Sequence, residues 1–206
     1  MNEPWRLGIG CIGSKAGIAL YHGRSLQDQK FFGSPIESKF FLHLRTLIPP
    51  AEWSKVTEII SLQGPGPFTG IRLGFALGHG LTLQSKKSFY VQPTLSVIAS
   101  CSPTFPVVSV VDSGGGWLWV QHFVDANKPA GSIQTLHRSA VLPKNLAHIP
   151  LCGWGLDRLS WDGFTVTIDQ VLKNLMENPY AQNAQIVAQD PYYGAAPATV
   201  KPKLGA

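Results

Sequence analysis

Gly64-Pro65-Gly66-Pro67-Phe68-Thr69-Gly70-Ile71-Arg72-Leu73-Gly74 is the stretch around which this chain is read. It joins an apolar run at 58–62 to an apolar segment reaching about Leu83 through a turn made almost wholly of Gly and Pro, which is a strand-turn-helix unit. Glycines at Gly64, Gly66 and Gly70 let the backbone take positive φ and approach its surroundings closely. Thr69 is placed to cap the following helix and leave its first amides pointing outward, an arrangement that suits a phosphate. The same residues also read as a tight connection at the edge of a sheet. A phosphate loop ends in Gly-Lys-Ser/Thr, and a dinucleotide loop needs G-x-G-x-x-G with an acidic residue about 20 positions on. Neither pattern occurs here.

Beyond the turn, Gly70, Gly74 and Gly78 recur every fourth residue and share one helix face, with Gly80 close by, while Ile71, Leu73, Phe75, Leu77 and Leu81 leave almost no polar side. An interior glycine costs about 1 kcal/mol of helix propensity relative to alanine, so Gly74, Gly78 and Gly80 together sacrifice about 3 kcal/mol. Close approach of another backbone is the usual compensation. The helix is therefore expected to be buried on more than one side, with at least one of Gly74 and Gly78 meeting a partner chain. Its shortness and the flanking Lys86 and Lys87 argue against a membrane span.

The 206 residues, 44% of them hydrophobic, suffice for one large domain or two small lobes. Seventeen basic against 12 acidic residues give a net charge of +5, but they form no stripe, so any nucleic-acid contact is expected to be weak, electrostatic and lost at moderate salt. Three isolated cysteines, Cys11, Cys101 and Cys152, make neither a C-x-x-C motif nor a disulfide framework and suggest a reducing cytosol. The N-terminus carries no signal-peptide pattern, and no run of about 18 apolar residues exists. A cytoplasmic location is the expectation.

In chain order, 7–12 and 16–21 read as a hairpin about Gly13-Ser14-Lys15, with a third strand at 29–32. Ser34-Pro35-Ile36-Glu37 has the pattern of a capping box, and the helix it opens carries Phe40, Phe41, Leu44, Leu47 and Ile48 before Pro49-Pro50 stops it. A short strand at 88–92 leads to a helix from Pro93-Thr94-Leu95-Ser96 to Cys101. Ser102-Pro103-Thr104-Phe105-Pro106 reads as a lobe boundary. The strand-turn-strand plan then returns as 107–111, Ser113-Gly114-Gly115-Gly116 and 117–124, a duplication of pattern about a hundred residues from the first. A strand near 133–137 and an amphipathic helix at 168–177 follow, with Val171, Leu172, Leu175 and Met176 on one side. The expected domains are 1–102, 103–193 and a disordered tail at 194–206.

The eleven-residue stretch from Gly64 to Gly74, with Gly80-Leu81 after it, resembles the G-P-G-S-F-T-G-[IV]-R-[IV]-G signature of the bacterial TsaB (YeaZ) family. Pro67 departs from it by standing where the family has Ser. Leu151-Cys152-Gly153-Trp154-Gly155 is similar to a Gly-rich strand end of that family, and Asp190-Pro191-Tyr192-Tyr193 to its P-x-Y-L-R close without the Leu and Arg. The resemblance implies an α/β chain of the actin-like, Hsp70-like (ASKHA) ATPase fold, with two related lobes, each a mixed sheet with flanking helices, and a degenerate nucleotide site. It implies a scaffold subunit that binds a TsaD-type catalytic subunit, with a TsaE-type ATPase in the complex, and sustains threonylcarbamoylation of the adenosine next to the anticodon of certain tRNAs. Homodimerisation is a further expectation. By the same resemblance Phe40, Leu44, Leu47, Arg72, Leu73, Gly74, Leu77, Gly78 and Leu81 form the docking surface, while Gly64, Gly66, Phe68, Thr69 and Gly70 form the turn. No cofactor is expected on the chain alone; ATP or ADP is left as a nucleotide that the complex could share.

ATPases of this fold place one Asp at the end of the first strand of each half, yet the first position here reads Gly10-Cys11-Ile12. Asp112 stands at the second position but precedes a glycine turn, where an Asp more often braces a hairpin than holds a metal. No two of the six histidines are four apart, and no G-x-S-x-G elbow is present. His79, on an otherwise apolar helix, reads as a packing residue or an interface contact. Self-sufficient ATP hydrolysis and catalysis are therefore not expected. The alternatives are a metal-dependent, glycoprotease-like or ATP-using enzyme of the same superfold, and a self-associating structural protein.

Overall fold

The structure, a computed structural model, describes residues 3–83, 85, 87–159 and 161–177. Strands β1 (Trp5–Ile12), β2 (Lys15–His22) and β3 (Ser25–Gly33) form an antiparallel meander whose tight turns use Gly13 and Gly23 at positive φ. Helix α1 (Ile36–Leu47) follows, then β4 (Val56–Gly64), helix α2 (Phe68–Leu83) and β5 (Ser88–Pro93). Both β4 and β5 run parallel to β1, giving a five-stranded mixed sheet in the order β3-β2-β1-β4-β5. Short helix α3 (Thr94–Ala99) leads across to the second sheet.

That sheet repeats the plan. Strand β6 (Val107–Gly114) pairs antiparallel with β7 (Trp117–Asp125), which carries β8 (Lys128–Pro129) and β9 (Gln134–His137); on the other side β10 (Leu151–Trp154) and β11 (Phe164–Thr165) run parallel. A central strand with an antiparallel neighbour on one side and parallel strands on the other is common to both sheets. The duplication expected from the two Gly-turn hairpins is therefore present in the topology. Helix α4 (Ile168–Glu177) closes the described chain.

Side-chain alternation assigns the layers. On β1, Leu7, Ile9 and Cys11 face α1 and α2 and share a core with Phe40, Leu44 and Leu47. Gly8 and Gly10 lie on the opposite face, beneath Met176 and Leu172 of α4, and Gly17 of β2 also lies beneath Leu172. This second layer joins the two sheets in one core containing Ile60, Leu62, Val97, Val111, Phe123, Leu172 and Met176. A smaller core under the second sheet holds Val108, Val110, Leu118, Leu146 and Leu156. The C-terminal end of α4 is anchored by the first sheet: Arg6 Nη1 donates to the Met176 carbonyl at 3.4 Å and Gln92 Nε2 to that of Leu175 at 2.7 Å, a cationic partner suited to the negative end of the helix dipole.

Two local expectations change. Helix α1 begins at Ile36 with Pro35 in the cap position and no side-chain cap hydrogen bond, so Ser34 does not close a capping box; its carbonyl instead accepts from Lys39 Nζ at 3.0 Å. Thr69 lies inside the first turn of α2, which starts one residue earlier at Phe68. Within the described residues, no helix is long and apolar enough to cross a membrane. The tail at 194–206 and the Asp190-Pro191-Tyr192-Tyr193 motif fall outside them.

Candidate functional site

The Gly-Pro turn is built for close packing on the chain's own backbone. Gly64 sits at φ 108 and donates its N–H to Thr94 Oγ1 at 3.1 Å, tying the turn to the start of α3. Gly70 starts α2 directly on the β1–β2 turn: a Cβ added there would lie 2.9 Å from the Gly13 nitrogen and 3.0 Å from its carbonyl oxygen. Phe68 and Thr69 are exposed, and the Arg72 guanidinium lies 3.6 Å from the centre of the Phe68 ring. The turn thus serves as the tight connection of the two readings, with its glycines spent on contact with Gly13, Ile12 and Ile71.

The glycine face of α2 is turned inward. A methyl group at Gly74 would meet Cys11 Cβ at 3.1 Å, and one at Gly78 would meet the Phe89 ring at 2.5 Å. Gly74 and Gly78 are buried against β1 and β5, and Phe40, Leu44 and Leu47 are buried in the same core. These five positions, read from the sequence as docking residues, face the protein's own sheet. The stripe with the strongest helical periodicity is the one the core claims. Arg72 is exposed, and Leu73, Leu77 and Leu81 are half-buried at the margin. Phe41, 52% exposed, and Leu42, 63% exposed, are the outward apolar side chains of α1. Leu42 lies off the stripe, and Phe41 was read as part of it. A run of apolar residues wider than one helix face was the available signal.

Alanine scanning separates these roles. Gly78→Ala should lower stability by about 1–2 kcal/mol, because the ring it strikes is wedged between Phe75 and His79 and overpacking there outweighs the propensity gain. Gly80→Ala, with nothing within 4 Å of the new methyl, should raise it by about 0.5–1 kcal/mol. Urea titrations of the two variants check both signs.

Between the lobes the two glycine turns enclose a cleft. Gly10, on β1, is roofed by Leu172 Cδ1 and Ile168 Cδ1, 3.5 and 3.7 Å from an added Cβ. Asp112 is present and buried, but its carboxylate is occupied: Oδ1 accepts the Gly114 N–H at 2.9 Å, and Arg138 Nη2 lies 3.0 Å from Oδ2 and 3.3 Å from Oδ1. It braces the β6–β7 turn, as an Asp before glycines commonly does. What remains is a cavity of about 130 Å³ lined by Gly13, Ser14, Lys15, Pro67, Asp112, Gly114, Trp154 and Arg158. Ligand pockets typically measure about 300–1,000 Å³.

Other chemistry is sparse. Among the described residues no three His, Cys, Asp or Glu side chains come together as a metal site, and His79 stacks on Phe89 at a centroid distance of 6.0 Å. Burial pushes the thiols of Cys11 and Cys152 up to about 12, and raises that of Cys101 as well. The folded protein should therefore resist alkylation by iodoacetamide at pH 8, whereas the urea-unfolded chain reacts at all three sites. Between about 9 and 12 the unfolded chain gives up thiol protons that the fold retains, so stability should fall as pH rises through that window.

No family model matches the sequence, and no curated protein matches it. Solved structures do. The structure of YeaZ from Pseudomonas aeruginosa superposes with a TM-score of 0.67 at 18% identity, covering 87% of this chain and 93% of its own. A second structure, of an uncharacterized protein with similarity to peptidase YeaZ from Pseudomonas aeruginosa, gives the same values. Together with the repeated strand order of the two sheets, these matches establish that the chain has the two-lobed, actin-like fold of YeaZ.

Proposed function

We propose that this chain is a non-catalytic, TsaB-type subunit that docks a TsaD-type catalytic subunit through the outward side of α1 and α2 and thereby supports threonylcarbamoylation of the adenosine beside the anticodon of certain tRNAs. The observation that carries this reading is the set of exposed large apolar side chains on those two helices: Phe41 and Leu42 on α1, and Phe68 and Leu83 at the two ends of α2. Exposed aromatic side chains such as Phe41 and Phe68 are of the kind enriched at interaction surfaces. The turn sequence from Gly64 to Gly74 and the YeaZ-like fold point the same way. Leucine and isoleucine over Gly10, with an arginine on Asp112, argue against nucleotide hydrolysis by the chain alone. The TsaE-type ATPase and any ATP or ADP belong to the assembled complex.

Reconstitution tests the activity. A TsaD-type subunit and a TsaE-type ATPase, supplied with threonylcarbamoyl donor, ATP and an unmodified tRNA, should yield the modified nucleoside by mass spectrometry only when this chain is added. Equal yield without it would overturn the proposal. Because the apolar face also suits a second copy, light scattering of the chain alone decides whether it self-associates through the same helices.

A further inference from the structure

Strand β3 is an open edge of the first sheet. Among the described residues it is paired on one side alone, with β2, so the row of backbone N–H and C=O groups on its other side can meet a second strand. Residues 25–28 and Phe31 are exposed, and Gln29 and Lys30 are half-buried. The ladder to β2 is regular from Asp28 to Gly33 and is interrupted between Asp28 and Leu26, where Gln27 is the extra residue. Two opposite charges flank Gln29 on this strand. Lys30 Nζ lies 2.7 Å from Asp28 Oδ2, so the two side chains share one face. A lysine on an exposed edge ordinarily deters strand pairing, but here a carboxylate two residues away matches it.

We infer that a second copy of this chain docks antiparallel on the β3 edge, with the two-fold axis passing through Gln29, and joins the two five-stranded sheets into one. The charges choose both the partner and the register. Antiparallel strands centred on Gln29 put Asp28 directly opposite Lys30 of the second copy, and Lys30 opposite its Asp28, which makes two favourable cross-strand pairs. Centring on Asp28 or on Lys30 would instead set like charges face to face. On the other face Gln29 meets Gln29 of the second copy, with the exposed Phe31 diagonal to it. The interruption at Gln27 keeps the ladder short, so the dimer is weak and reversible, with a Kd of about 10–100 μM. This edge is separate from the outward side of α1 and α2, so the inference stands or falls apart from docking of a TsaD-type subunit.

Sedimentation equilibrium of the full chain from about 5 to about 500 μM is the test. The parent should self-associate, and less so in about 0.5 M sodium chloride, which screens exposed charges. Asp28→Lys and Lys30→Asp should each raise the Kd about tenfold, since each sets like charges opposite one another twice in the dimer. Both side chains lie at the surface, so the variants should melt with the parent. Mixed in equal amounts, the two variants should associate with each other as tightly as the parent does with itself, because an all-basic edge then meets an all-acidic one. A variant that had merely lost its fold or its own Asp28–Lys30 pair would not regain association on mixing. Phe41→Asp/Leu42→Asp should dimerise as the parent does. A parent that stays monomeric up to about 500 μM, a dimer indifferent to both charge substitutions, a mixture no tighter than its components, or a dimer abolished by the α1 substitutions would each overturn the assignment.

Discussion

Gly70→Ala is expected to destabilise the protein by about 3 kcal/mol, the upper end for overpacking, and to lower Tm by roughly 10 °C for a chain of this size. The added methyl would lie 2.9 Å from the Gly13 nitrogen, 3.0 Å from its carbonyl oxygen and 3.3 Å from Ile12 Cα. All three are backbone atoms of the β1–β2 turn. A side chain in that position could rotate aside; a hydrogen-bonded strand end cannot move without breaking its ladder to β2. The propensity gain of alanine in a first helical turn is at most about 1 kcal/mol and does not offset this. Thermal and urea melts of Gly70→Ala beside Gly80→Ala make the comparison internal, since the two substitutions on one helix should have opposite signs. Equal melting of Gly70→Ala and the parent would mean that α2 does not sit on the turn as described.

The second large effect is expected from Gly10→Asp, which introduces a carboxylate on β1. The new side chain would extend from a Cβ already in contact with Leu172 and Ile168, placing an unpaired charge in the shared core at a cost of about 3–5 kcal/mol. Burial would raise its pKa above the model-peptide value of about 3.9. The folded state would then hold a proton that the unfolded chain releases, so the penalty should grow as pH rises from about 4 towards 7. Phosphate release from ATP in the presence of Mg²⁺ should stay at background. Measurable turnover in the variant would contradict the view that α4 leaves no room for a functional carboxylate at position 10.

Much of the fold was legible because the local signals agreed. The paired Gly-turn hairpins about Gly13 and Gly114, the Gly-Pro turn before α2 and the Pro49-Pro50 stop each demand a specific backbone, and the structure uses them so. Asp112 was legible for the same reason, as a residue that braces its own turn. The orientation of the helices was harder. Periodicity says that α1 and α2 each have an apolar side, but both helices carry apolar residues beyond one face, and a single sequence does not say which set the sheet takes. Gly74 and Gly78 follow the same logic: a glycine face records that something comes close, and here it is Cys11 and Phe89. The roof of Leu172 and Ile168 over Gly10 could not be anticipated, since it depends on α4 crossing back to the first sheet from more than 150 residues away. Arg138, which occupies Asp112, lies 26 positions from it in sequence, and no local pattern links them.

The contact surface proposed for docking is the outer side of α1 and α2. Its most direct test is size-exclusion chromatography with light scattering of a TsaD-type subunit mixed with the parent chain, with the double variant Phe41→Asp/Leu42→Asp, or with Gly74→Ala. The parent should form a stoichiometric complex. The double variant, altered only at exposed positions, should melt with the parent yet elute separately from the TsaD-type subunit, while Gly74→Ala, altered in the core, should retain binding. A double variant that still co-elutes as the parent does, or a Gly74→Ala protein that is folded but no longer binds, would contradict the account.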